Sequence, residues 1–165
     1  MTDNNATDAD NSARTRNSSP LRLNPRSVNY IEEQATRRIL TNRRRRMLQE
    51  LLTNVQDDAD TTRRTARELI ENKDLTPREQ YDQLKQGRDY WERRKESYQG
   101  ATDRSFEAMR DTIDDTNPSY FWEHDEYLHS TNVYSRAVMV ASETYLYLAQ
   151  LMRDNGLNRF AWERS

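Results

Sequence analysis

The stretch ENKDLTPREQ, Glu71 to Gln80, decides how the rest of the chain folds. Thr76 is a suitable helix N-cap, Pro77 falls at the first helical position, where a missing N–H costs nothing, and Glu79 falls where its carboxylate reaches back to the cap. A helix therefore starts here. Upstream, no Gly or Pro interrupts Ser27 to Asp74. Ile31, Ala35, Ile39, Met47, Leu51, Val55, Ala59, Ala66 and Ile70 recur at helical spacing there, with Arg43 and Thr62 filling gaps in the row. Two long helices joined by a few residues fold back antiparallel, so the pattern predicts a helical hairpin with helices over about 27–73 and 77–114. If the turn centres near residue 75, position i lies opposite about 150 minus i.

Along the second helix Tyr81, Leu84, Arg88, Trp91, Tyr98, Phe106, Met109 and Ile113 keep close to heptad spacing, with aromatic knobs. Gly87 and Gly100 weaken it by about 1 kcal/mol each relative to Ala, and DDTNP, Asp114 to Pro118, ends it. SYFWEHDEYLH, Ser119 to His129, reads as an aromatic and acidic connector. Thr131 to Asp154 reads as a third helix that closes in DNG, with Gly156 as its left-handed cap.

The third helix carries Val133, Ala137, Val138, Val140, Ala141, Tyr145, Leu148, Leu151 and Met152 nearly all round its axis. A helix apolar on most sides is buried on most sides. The hairpin has little apolar surface to offer it, since Leu, Ile, Val and Phe number 14, 4, 5 and 3 in 165 residues. Cover from another chain is the expectation, which makes those nine residues candidate interface residues. Phe160 and Trp162, on the short C-terminal peg LNRFAWERS, join them because exposed aromatic pairs rarely stay in water. Residues 1–26, rich in Asn, Asp, Thr, Ser and Arg with Pro20 and Pro25, show no period and read as an extended or disordered arm. The organisation expected is all-α: an arm over 1–26, a long hairpin over 27–116, and over 117–165 a connector, a buried helix at about 131–154 and a peg.

Composition narrows the chemistry. There is no cysteine, so disulfides, zinc thiolates and cysteine nucleophiles are excluded. Three glycines form no phosphate-cradling loop. The adjacent pairs Glu32 and Glu33, Asp57 and Asp58, and Asp114 and Asp115 point different ways on a helix and are not organised for acid/base work. Glu126 and His129 match the Glu-x-x-His spacing of di-iron bundles, but the second such motif and two further glutamates are missing, so no metal or cofactor is expected. The weakly charged run Ala137 to Met152 is shorter than the roughly 20 apolar residues of a membrane span. No signal-peptide pattern opens the chain, which points to the cytoplasm or a virus particle rather than secretion.

The basic segment Arg37, Arg38, Arg43, Arg44, Arg45 and Arg46 is the candidate nucleic-acid contact. Four arginines in a row surround a helix, so two at most face one phosphate backbone. The chain as a whole has pI ≈ 5.8, whereas basic readers sit above about 9. The hairpin register also sets Arg43 to Arg46 near Asp103 and Glu107, and Arg37 and Arg38 near Asp111, Asp114 and Asp115, which predicts partial neutralisation within the chain. The expected function is that of a non-enzymatic structural or assembly protein whose partners are copies of itself and other protein subunits. Nucleic-acid binding is the alternative. In composition and layout the chain resembles small helical scaffold, connector and minor capsid proteins of tailed-virus particles, although no motif carries that likeness.

Overall fold

A computed structural model describes residues 25–112 and 120–159 of the chain, and there the fold is all-α. Helix α1 spans Pro25–Glu71, α2 Pro77–Asp111 and α3 Tyr120–Asp154. The chain divides into two units, Met1–Asn42 and Arg43–Ser165. The N-terminal residues 1–24 and the peg residues Phe160 and Trp162 lie outside the described residues, as do Asp114 and Asp115.

The second unit holds a three-helix core. Its first joint is the turn read from the sequence: Thr76 Oγ1 accepts from Glu79 N at 3.1 Å, and Glu79 Oε1 accepts from Thr76 N at 2.9 Å. These two bonds satisfy orphan donors at the start of α2. Gln80 then donates from Nε2 to the carbonyls of Leu69 and Ile70, at 2.9 and 3.3 Å, which caps the last turn of α1. From that turn the helices run antiparallel. Trp91 faces Thr62 and Arg94 faces Asp58, so paired numbers sum to about 150 as the hairpin geometry requires. Against α3 the partners of α1 rise together, Arg44 with Ser130 and Arg63 with Tyr147, so α1 and α3 are parallel. α2 opposes α3, with Lys95 over Tyr145 and Thr112 beside His124.

The buried seam keeps to spacings of three or four residues, or multiples of seven, along each helix, so that one face of each turns inward. On α1 it is Leu48, Leu52, Val55, Ala59 and Ala66; on α2, Leu84, Trp91 and Ser105; on α3, Val133, Ala137, Ala141, Thr144, Leu148 and Met152. Met47 and Phe106, placed in the seam by the sequence pattern, are exposed instead, because Leu48 and Ser105 one position away take the inward stations.

Two further expectations change. The third helix begins at Tyr120, not near Thr131, so most of the supposed connector is helical. Ser130 and Thr131 resemble an N-cap in sequence, but their hydroxyls donate back to the carbonyls of Glu126 and Tyr127, at 3.1 and 2.7 Å, in mid-helix. The nine apolar residues expected to need outside cover are largely sheltered by their own chain. Val133, Ala137, Ala141, Leu148 and Met152 are buried, while Val138, Val140, Tyr145 and Leu151 are half-buried, so none of the nine requires a second chain to cover it. Small residues make this possible: Ala59, Ala66, Ala137 and Ala141 are essentially inaccessible and let the helices approach closely. Basic side chains close the flanks, with Arg63 over the Tyr147 ring at 5.7 Å, Lys95 over Tyr145 at 5.9 Å, and Arg67 donating to the Tyr147 hydroxyl at 3.3 Å.

In the first unit, Ile31, Ile39 and Leu40 are each more than half exposed. Arg37 pairs there with Glu33 at 3.7 Å across one helical turn.

Candidate functional site

The bundle core changes character along its length. Near the α1–α2 turn it is apolar, built on Leu84, Trp91, Leu148 and Met152. Toward the other end the buried hydroxyls of Ser105, Thr112 and Ser130 are interspersed with a smaller apolar cluster of Leu48, Leu52 and Val133. Hydroxyls at seam positions are tolerated where they find acceptors: Thr112 donates to the Met109 carbonyl at 2.6 Å and Ser130 to that of Glu126.

The arginine run ends up at this polar end. Arg44 donates through a terminal guanidinium nitrogen to Ser130 Oγ at 3.0 Å and lies over the Tyr127 ring at 5.9 Å. Arg45 approaches Glu126, with Nε 3.5 Å from Oε2. That is ion-pair distance without a hydrogen bond, so the buried Oε2 has no donor in the structure. Arg43 and Arg46 are exposed and have no ion pair among the described residues. The expected neutralisation by Asp103 and Glu107 does not occur: Asp103 accepts instead from Gln99 at 3.0 Å, and the carboxylate that meets the run comes from α3. The cause is the early start of α3, which lays Glu126 and Ser130 alongside α1.

A cleft of ≈ 260 Å³ opens at the same level, lined by Arg44, Ala101, Arg104, Ser105, Tyr127 and Tyr134. Ala101 and Ser105 are too short to fill the space between α2 and the other helices, which is why it remains open. Of its lining only Arg44 stands out in the sequence. Arg104, Tyr127 and Tyr134 carry no spacing signal, because they converge from two helices whose register depends on where α3 begins.

A second polar assembly is structural. Arg94 lies 4.6 Å over the Trp91 ring, 5.5 Å over Tyr90 and 5.6 Å over Tyr98. It donates to Tyr98 Oη at 2.6 Å and to Asp58 Oδ2 at 2.8 Å. Burial pulls its pKa down, but the hydrogen bonds to Tyr98 and Asp58 outweigh that and hold it above the ordinary arginine value. The guanidinium thus fills its own aromatic cage and ties α2 to α1, leaving no room there for a ligand cation.

The outer surface of α3 carries a stripe. Leu128, Met139 and Leu146 are all exposed, and their separations are about three turns and two turns, so they share one face. Arg136 and Glu143 are exposed along the same side and have no ion-pair partner among the described residues.

Of the two histidines, His124 has its Nδ1 3.3 Å from Thr112 Oγ1. Among the described residues no group of three His, Asp or Glu is placed to hold a metal ion. No helix among them is long and apolar enough to cross a membrane. Comparison with protein families, curated proteins and solved structures finds no match to the chain.

Proposed function

We propose that the chain is a non-enzymatic assembly component that self-associates through the outer face of α3, with a place in a larger particle such as a virion as its setting. The observation that supports this is the alignment of Leu128, Met139 and Leu146 on one exposed stripe. Single exposed apolar residues are ordinary, and what sets these three apart is their recurrence on one face of one helix. A second copy suits it by charge. Two α3 helices crossing antiparallel with Met139 near the two-fold axis set Arg136 of each chain against Glu143 of the other, an isologous arrangement that satisfies both. Ile31, Ile39 and Leu40 in the first unit are a separate adhesive segment for other subunits.

The test is the mass of the full-length protein in solution by light scattering at micromolar concentration. The expected result is an oligomer that becomes monomeric when Met139 and Leu146 are both changed to Glu. Arg136→Glu and Glu143→Arg should each weaken association, and the two together should restore it. A wild-type monomer that stays folded at these concentrations would overturn the proposal.

Nucleic-acid contact is the second reading, favoured by Arg43 and Arg46, which are exposed one turn apart without an acidic partner among the described residues. It requires duplex binding that falls steeply with salt and is lost in Arg43→Gln with Arg46→Gln.

A further inference from the structure

We infer that the cleft at the polar end of the bundle is a binding site for a small phosphate-bearing molecule. Its walls supply the donors such a ligand needs. Arg44 and Arg104 both line it, and neither has a carboxylate partner among the described residues. The acidic side chain that approaches the arginine run at this level, Glu126, faces Arg45. Two guanidinium groups sharing one cleft without a counter-ion repel each other, and a dianion between them removes that repulsion. An arginine has five N–H donors, and Arg44 spends one on Ser130, so the rest of its fork is available. The Ser130 bond and the Tyr127 ring also fix where that fork points before any ligand arrives, which lowers the ordering cost of binding.

The remaining lining agrees with an oxyanion. Three of the lining residues, Tyr127, Tyr134 and Ser105, are hydroxyl-bearing, and Ala101 is too short to fill the space. No carboxylate lines the cleft, so a cation has nothing to bind there. At ≈ 260 Å³ it has room for a phosphoryl group with a small substituent. The site stands apart from the outer stripe of α3 and does not depend on self-association.

The experiment uses the full chain with inorganic phosphate and pyrophosphate as probes, against chloride at matched ionic strength. Thermal unfolding and titration calorimetry are the readouts. Phosphate should raise the unfolding temperature and bind with a single site per chain. Loss of one charge-assisted anchor in Arg104→Gln should weaken binding about tenfold or more, and Tyr134→Phe should weaken it less. Arg43→Gln, next to Arg44 on α1 but outside the cleft, should leave binding unchanged. Arg104 is exposed, so its variant should fold as the parent does. Equal weakening by Arg43→Gln and Arg104→Gln would show diffuse attraction rather than a site and overturn the inference. So would the absence of any phosphate effect beyond that of chloride, or duplex DNA binding that needs Arg104 while phosphate does not bind.

Discussion

Trp91→Ala should cost this fold more than any other single truncation on α2. The indole is 1 % exposed and sits where all three helices meet in the apolar half of the core. Emptying that volume costs about 3–5 kcal/mol from lost transfer and cavity terms. The indole N–H also donates to Thr62 Oγ1 at 3.0 Å, and the ring is the floor on which Arg94 rests. The hydrogen bond adds little to the loss, because Thr62 is half-buried and water can replace the indole. A loss of about 4 kcal/mol is a large share of the roughly 5–15 kcal/mol that holds a domain together. It should lower the unfolding midpoint by about 15 °C for a body of this size. Urea unfolding followed by far-ultraviolet circular dichroism gives the free energy directly. Trp91→Phe separates the contributions: it keeps most of the ring and should lose only about 1–1.5 kcal/mol, from the volume the smaller ring leaves unfilled and a poorer cation–π surface. If Trp91→Ala loses less than about 1 kcal/mol, the assignment of this residue to the packed centre is refuted.

Three other substitutions test local geometry by the same unfolding measurement. Thr76→Ala removes one of the two bonds of the capping box and should cost about 1 kcal/mol, whereas Thr76→Ser should cost little. Gly87→Ala should stabilise by about 0.5–1 kcal/mol, because an added methyl meets only Leu148 Cδ1 at an ordinary 3.5 Å and fills part of a ≈ 210 Å³ cleft. Gly156→Ala should do the opposite and cost about 1–2 kcal/mol. Nothing crowds that position, but its φ of 66° is left-handed, so the loss is purely one of backbone conformation.

Local signals in the sequence carried the hairpin. A cap, a proline and a glutamate at fixed offsets define where α2 starts, and a long uninterrupted helix on each side of a short turn folds back antiparallel, so counting from the turn comes within three residues of the facing of Thr62 with Trp91 and of Asp58 with Arg94. The third helix was harder to place. Ser130 and Thr131 have the composition of a cap, and only tertiary packing shows their hydroxyls turned back onto the preceding turn. Its cover was missed for a related reason. Apolar letters alone understate what a hairpin can bury, since Arg63, Arg67 and Lys95 close over the tyrosines of α3 and do part of that work. The cleft was least legible: Arg104, Tyr127 and Tyr134 are unremarkable one by one and meet only once the offset between α2 and α3 is known.

A large apolar cluster near the turn and a smaller one interspersed with hydroxyls at the far end give the bundle two unequal halves. Amides around Leu84, Trp91 and Leu148 should exchange with deuterium only when the whole unit opens, while those around Ser105, Thr112 and Ser130 should exchange through smaller, cheaper fluctuations. The helices would then unzip from the hydroxyl end toward the hairpin loop, so that the cleft breathes while the layer beneath it stays locked.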